Sequence, residues 1–224
     1  VRYWAASTAT GKDSIINEEK IQMGAKLVTK LWNIARFSER FLQDGPGLDS
    51  QSPVDLFTPA DRWILSRTQR LIRKTTQLFE QYEYAAAKSE METFFWTEFA
   101  DNYLEMCKQR LYDPQHPQRE GARRALRQAL LSLLKLLAPL LPFITDAIYR
   151  ELFAQQEGVP SIHSSAWPIP DPTLENPPAE ALGTILVDIA IAVRRYKSEN
   201  NLSLGTELEQ LQLSVGDAEQ AEQL

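Results

Sequence analysis

Apolar residues recur at helical spacing between residues 18 and 42. Because a helix turns by about 100° per residue, one face of this segment collects Leu27, Leu31, Ile34, Ala35 and Leu42. The opposite face collects Lys26, Lys30, Asn33 and Arg40, with Phe37 pointing outward among them and Arg36 and Trp32 at one border. Asn17 precedes the segment and is a suitable N-cap. The pattern predicts an amphipathic helix with a cationic outer face.

A second helix is predicted to begin at Pro59, where Thr58 can act as N-cap and Asp61 follows the cap by three residues. Its apolar face should collect Ile64, Thr68, Leu71, Thr75, Leu78 and Tyr82. A third helix, rich in aromatic residues, should span Tyr84 to Tyr112 and end before Asp113-Pro114.

The fourth helix is predicted from about Gln118 to Phe153, and its middle, "ALLSLLKLLAPLLPFI", is apolar on most faces. It should be the central buried element, kinked or broken where Pro139 and Pro142 remove backbone donors. A fifth helix, about Ala179 to Asn200, should bury Leu182, Ile185, Leu186, Ile189 and Val193.

Residues 154–178 hold six prolines and no helical period, which indicates a linker or an ordered crossover with Trp167 packed down. Near the C-terminus, Leu211, Leu213 and Val215 alternate with polar residues and predict a strand, followed by the start of a helix. The predicted fold class is therefore all-α, an antiparallel bundle of four to five helices with a short C-terminal strand.

Composition narrows the functional classes. Lys135 interrupts the longest apolar run, so no membrane span is expected. The single cysteine, Cys107, fits a reducing compartment, and with His116 and His163 it makes no metal-ligand spacing. Phosphate-loop and nucleophile motifs are absent from the sequence. The sequence begins "VRYWAAS", without an initiator Met, and we expect it to be a non-catalytic fragment of a longer protein.

The net charge of −6 is unevenly distributed. Residues 1–149 hold 20 Lys and Arg against 18 Asp and Glu, whereas residues 150–224 hold 4 against 12. Two basic stripes stand out, one of Arg67, Arg70, Arg73 and Lys74 and one of Arg119, Arg123, Arg124 and Arg127. Such runs are usually solvated surface, and they are alternatively phosphate contacts. The small positive excess of residues 1–149 suits binding of one folded RNA through local basic patches, and it does not suit binding of nucleic-acid duplexes in general.

Phe37 has two interpretations. It can pack beneath the N-terminal element or against the "SIHSSAWP" loop. Alternatively, Phe37 or Trp32 offers a ring, and Arg36 a planar donor fork, to an unpaired base. Stacking of that kind contributes about 1–3 kcal/mol per base.

Seven stretches occur in a fixed order along the chain: "VRYWAASTATGKD", "KLWNIARF", "DRWILSR", "FFWTEFADNYLE", "LLAPLLPFITDAIY", "SIHSSAWP" and "VRRYKSENNLSL". Together they closely resemble the C-terminal region of the valyl-tRNA synthetases, which are class I aminoacyl-tRNA synthetases. The resemblance covers nearly the whole chain. A related isoleucyl-type domain is the runner-up, and a non-catalytic helical scaffold for protein contacts is the alternative from another class.

The resemblance implies a division of labour. Residues 1–20 would end a stem-contact element, 21–204 would form the helical anticodon-binding domain, and 205–224 would begin a small appendage. Activation of valine with ATP and Mg²⁺ would take place in a catalytic domain outside this fragment, which would need no cofactor itself. The partner would be tRNA(Val), with no DNA or membrane partner, in a cytoplasmic and monomeric enzyme.

The resemblance also implies RNA-binding residues. Arg36, Asn33 and Phe37 match the "LWN…ARF" helix, which faces the anticodon stem-loop in this family, and Lys30 and Arg40 share its outer face. Arg194, Arg195 and Lys197 match the "RRYKSE" stretch, where they would reach the anticodon arm or cap the helix. Arg2, Gly11 and Asp13 match the stem-contact motif, in which a structural role and an RNA contact are both open.

Overall fold

The computed structural model describes residues 1–11, 13, 15–42 and 56–214. The α-helices are α1 Arg2–Ala5, α2 Glu18–Leu42, α3 Pro59–Glu80, α4 Tyr84–Thr93, α5 Leu104–Tyr112, α6 Arg119–Leu137, α7 Pro142–Leu152, α8 Ala154–Glu157 and α9 Pro177–Glu199. A π-helix, Phe94–Tyr103, joins α4 to α5, and 3-10 turns occur at Ile162–Ser164 and Pro172–Leu174. The all-α prediction is confirmed. No helix in these ranges is long and apolar enough to cross a bilayer.

The predicted C-terminal strand is not supported. Leu211 and Leu213 are exposed, and residues 207–214 belong to no regular element. A strand needs a neighbouring strand for its backbone hydrogen bonds, and the described residues offer none. Val215 and the helix start predicted after it lie outside the described residues.

The start of α3 follows the prediction closely. The Thr58 hydroxyl accepts from the Asp61 amide while the Asp61 carboxylate accepts from the Thr58 amide, which completes a capping box. The predicted apolar residues of α3 are buried except Tyr82. Tyr82 lies beyond the end of α3, exposed and with φ of 60°, because the chain turns there into α4.

The predicted third helix is a continuous helical path with a π-helical middle. Within Phe94–Tyr103 the rings of Phe94, Phe99 and Tyr103 stack, with successive centroids 6.3 Å apart. All three rings are buried. The π-helix was not predicted, because a π-helix has no capping or spacing motif of its own.

The predicted fourth helix breaks as expected. Helix α6 is buried on most sides and ends at Leu137, and α7 begins at Pro142. Helix α9 differs from its prediction, because only Leu182 of the five expected core residues is fully buried. It packs along α3, where Gly183 lies directly against the indole of Trp63.

The crossover between α8 and α9 is ordered, and one polar stripe of α3 fixes it. The backbone amides of Asn176 and Asp171 donate to Ser66 and Gln69, respectively. Glu175 pairs with Arg73, and the Trp167 indole donates to Thr76. The α3 residues are spaced by three, four and three positions, so they share one helix face. Trp167 also meets Phe79 edge-on, which confirms that it packs down.

Candidate nucleic-acid interface

Helix α2 presents a face of one charge sign. Between Lys20 and Arg40 it carries five Lys and Arg against one acid, Glu39. The Arg36 side chain is 68% exposed, and its Nε lies 3.9 Å from the carboxylate of Glu39. Lys26, Asn33 and Arg40 are exposed as well. The outer face of α2, defined by Lys26, Lys30, Asn33, Arg36 and Arg40, is therefore open and cationic.

The opposite side of α2 fixes its orientation. Leu27, Leu31, Ile34, Ala35 and Leu42, the predicted inner face, are all buried. Near the end of α2 the Phe41 carbonyl accepts from Arg123 Nη1 on α6 at 3.1 Å. On the outer face itself, Lys30 lies 3.8 Å from Asp101 on the π-helix. Helix α2 packs on α1, α6 and α7, and one of its sides is left to solvent.

Phe37 packs on other residues than the N-terminal element or the "SIHSSAWP" loop predicted for it, and its alternative role as a ring for an unpaired base stays a prediction. Phe37 is half-buried, and its ring meets Phe41 edge-on at 5.1 Å and Tyr112 at 6.0 Å. Aromatic packing on the end of α5 therefore explains its position at the edge of the outer face. Tyr112 itself is 55% exposed, so the partly open ring pair borders the cations. Sequence reasoning missed Tyr112, which gave no signal beyond its aromatic side chain.

Trp32 lies at the other border of the outer face, as predicted. Its indole is exposed. It is a large ring available for contact on this side of α2.

The three basic residues near the end of α9 are not a shared surface. Arg194 turns inward and donates to the Asp101 carbonyl at 2.7 Å and to Asn102 Oδ1 at 2.5 Å. Lys197 donates to the Leu204 carbonyl at 2.7 Å. Arg195 is 77% exposed and pairs with Glu199 one turn away. Two of the three thus hold the fold together.

The first basic stripe holds α3 to its neighbours. Arg67 forms a two-pronged ion pair with Glu98 at 2.7 and 2.8 Å. Arg70 donates to Glu180 at 2.6 Å, and Arg73 pairs with Glu175. The hydrogen bond to Glu98 raises the pKa of Arg67. These three arginines are paired with acids of the protein, and only Lys74 of the stripe is exposed without an ion pair among the described residues.

The second basic stripe is internal as well. Arg119 donates to the Leu111 carbonyl at 3.1 Å, and Arg124 donates to Glu120 at 2.8 Å. Arg123 contacts Glu120 as well as Phe41, and Arg127 lies 3.2 Å from Glu157. Three of these four arginines thus pair with an acid of the protein, and Arg119 donates to a backbone carbonyl.

The N-terminal residues pack on α2 and α4. Tyr3 is buried, donates to Glu92 and lies beneath the Lys88 ammonium at 4.0 Å from the ring centroid. Its ring covers Gly24 of α2, where a Cβ would approach within 2.9 Å. Arg2 and Asp13 are exposed, and Gly11 has φ of 75°. The assignment of this segment to a stem-contact element stays a prediction.

A family model for the anticodon-binding domain of tRNA ligases matches residues 61–213. The chain belongs to that family. The chain is also similar to valine–tRNA ligases, with 40% identity to that of Methanopyrus kandleri over the whole chain and 24% of the relative. The valine–tRNA ligase of Thermococcus kodakarensis is 36% identical over 97% of the chain and 24% of the relative. That of Ehrlichia canis is 36% identical over 94% of the chain and 26% of the relative.

The chain therefore spans about a quarter of the length of these curated relatives. The family match begins inside α3, and the alignment with the Methanopyrus kandleri protein includes α2. Within the described part of this anticodon-binding domain, no group of three or more His, Cys, Asp or Glu is placed to hold a metal ion.

Proposed function

We propose that this anticodon-binding domain holds the anticodon stem-loop of tRNA(Val) against the outer face of α2. In this proposal it is part of a valine–tRNA ligase. The ATP and Mg²⁺ that such a ligase uses would bind in another part of the parent protein. The identity to valine–tRNA ligases along the whole chain supports valine over isoleucine.

One observation carries the choice of surface. The arginines of the two basic stripes and Arg194 contact acids or carbonyls within the protein. Arg36, 3.9 Å from Glu39, and Arg40 are by contrast exposed on the same helix face. An RNA backbone needs cations that are not already neutralised. The outer face of α2 provides them side by side.

Each group has a distinct role in this proposal. Arg36 and Arg40 contact phosphates or the edge of an unpaired base, for which the guanidinium fork is suited. Asn33 supplies one donor and one acceptor for a base edge. Phe37, supported by Tyr112, offers a fixed ring edge at the border, and Lys30 reaches RNA by leaving its long contact with Asp101.

The test measures binding of a labelled anticodon stem-loop of tRNA(Val) to the 224-residue chain by fluorescence anisotropy, over a series of salt concentrations. We expect Arg36→Gln with Arg40→Gln to weaken binding about tenfold or more and to lower the salt slope by about two, since two phosphate contacts are lost. The melting temperature should stay unchanged because both side chains are exposed.

The matched control is Arg150→Gln, which removes one exposed cation from α7 and should bind the stem-loop like wild type. Binding by the double variant that equals wild type would exclude the outer face of α2. A stem-loop with the isoleucine anticodon tests the choice of tRNA, and it should bind more weakly than the valine one. Absence of any RNA binding at low salt by the folded chain would instead favour a protein-contact scaffold.

A further inference from the structure

Two cations on α6 share a single acid beside the crossover. Arg127 Nη2 lies 3.2 Å from one oxygen of Glu157, and Lys135 Nζ lies 3.3 Å from the other. All three side chains line a polar pocket of about 490 Å³ between α6, α8 and the crossover residues Pro168 and Ile169. The pocket therefore carries one more positive than negative charge.

Arg127 is poorly neutralised for a residue so deeply buried. It is 8% exposed, and its Nη1 has no hydrogen-bond partner among the described residues. Arg67 and Arg110, by comparison, each form a two-pronged pair with one carboxylate. Burial lowers the pKa of Arg127, whereas the pKa of Arg67 and of Arg110 is raised. A buried cation whose hydrogen-bond donors are incompletely paired lowers the free energy of unfolding.

The surroundings of Arg127 are short of acceptor atoms. Its guanidinium lies over the Phe153 ring at 5.1 Å, which offers only a π-face. The nearby phenol of Tyr149 is buried and also lacks a partner among the described residues. The remaining polar lining includes Gln128 and Ser132, which can donate to an anion. The pocket thus holds more donors than acceptors.

We propose that this pocket binds a phosphate group, held by Arg127 and Lys135. A tetrahedral anion with four acceptor oxygens supplies what Glu157 cannot, and a guanidinium with an ammonium is a common phosphate-binding pair. The group comes either from an RNA backbone or from a free phosphate anion. Gln156, also in the pocket lining, donates to the Leu42 carbonyl at 3.5 Å, which places the pocket near the end of α2.

The probe is inorganic phosphate, added to the 224-residue chain at constant ionic strength with sodium chloride as reference, and followed by thermal unfolding and by ³¹P NMR. Phosphate that binds the folded state should raise the melting temperature beyond the chloride reference. We expect Lys135→Gln to weaken phosphate binding about tenfold through loss of one charge-assisted contact. Glu157→Gln should tighten binding, because the competing carboxylate is gone.

The matched control is Arg150→Gln, which removes an exposed cation of α7 from its pair with Asp146, and it should bind phosphate like wild type. Equal phosphate responses in wild type and Lys135→Gln, or weaker binding in Glu157→Gln, would overturn the proposal. Both variants alter partly exposed side chains, and their unfolding curves without phosphate report whether each is folded.

A second arm distinguishes the two sources of the phosphate. If Lys135→Gln also weakens binding of a tRNA(Val) transcript, the group belongs to the RNA backbone; if only inorganic phosphate is affected, it is a free anion. The proposal does not depend on the outer face of α2. The Arg36→Gln, Arg40→Gln variant should retain the phosphate response, so the two proposals can fail separately.

Discussion

Both terminal nitrogens of the Arg110 guanidinium donate to the carboxylate of Asp61, at 2.6 and 2.9 Å. Asp61 is completely buried and also accepts from the Tyr103 hydroxyl at 2.8 Å. The same carboxylate serves the capping box of α3. One acid thus joins the start of α3 to the π-helix and to α5, and three elements depend on its charge being neutralised.

Loss of Arg110 should therefore be severe. We expect Arg110→Ala to lower the free energy of unfolding by about 3–5 kcal/mol, since Asp61 would be left as an uncompensated buried charge. Urea denaturation measures this. Lys108→Ala, which removes a partly exposed pair with Glu105 on the same helix, should change stability by less than about 1 kcal/mol. Similar losses in the two variants would contradict the role given to Arg110.

The contact between α3 and α9 should not accept a side chain at Gly183. A Cβ there would lie 2.1 Å from the Trp63 ring. We expect Gly183→Ala to destabilise the fold by about 1–3 kcal/mol through overpacking, measured by thermal or urea unfolding. Gly205→Ala is the control, since a Cβ at Gly205 has no heavy atom within 4 Å among the described residues. A neutral Gly183→Ala would show that α9 can shift on α3 without loss.

Arg194 and Arg195 are neighbours with different expected effects. Arg194→Ala removes hydrogen bonds to Asp101 and Asn102, and we expect a loss of about 1–3 kcal/mol in the free energy of unfolding. Arg195→Ala, which removes an exposed pair within one helix, should stay within about 0.5 kcal/mol of wild type. Equal stabilities would refute the structural role of Arg194.

Stability should fall in acid through Glu180. Burial on its own would raise the pKa of this carboxyl, but hydrogen bonds from Ser66 and Arg70 and the charges of Arg70 and Arg67 lower it below the ordinary value of 4.5. The folded state therefore binds the proton less readily than the unfolded state. The stabilisation is complete above about pH 4.5 and is lost as the pH falls through the lower folded-state pKa.

Glu180→Gln should accordingly be less stable than wild type at pH 7, with a difference that shrinks as the pH falls below 4.5. Urea unfolding at a series of pH values measures both curves. Glu151→Gln, at an exposed position of α7, serves as the control. A difference from wild type that stays constant with pH would assign the effect of Glu180 to packing rather than to charge.

The sequence predicted the features that depend on neighbours along the chain. The inner face of α2, the capping box at Thr58 and the break before Pro142 all follow from spacing within a few residues. The partners of the basic stripes did not follow, because Arg67 meets Glu98 and Arg70 meets Glu180 across the bundle. A stripe of cations looks the same in sequence whether its acids are distant or absent.

The candidate site was predictable to the same extent. Exposure of Arg36, Asn33 and Arg40 follows from the period of α2. The packing of Phe37 on Tyr112 and the inward turn of Arg194 do not, because each depends on a residue from another helix. The π-helix that carries Asp101 and Asn102 was missed for a different reason, since its sequence reads as ordinary helix.

The polar stripe of α3 that holds the crossover has a consequence for the length of that segment. Ser66, Gln69, Arg73 and Thr76 engage four points of the crossover between Trp167 and Asn176. Inserting or deleting one residue between those points would move all crossover residues that follow the change away from their contacts on α3. Changes in loop length are therefore far easier to accommodate outside this stretch. The contacts with α3 set the number of crossover residues and thereby the position at which α9 begins.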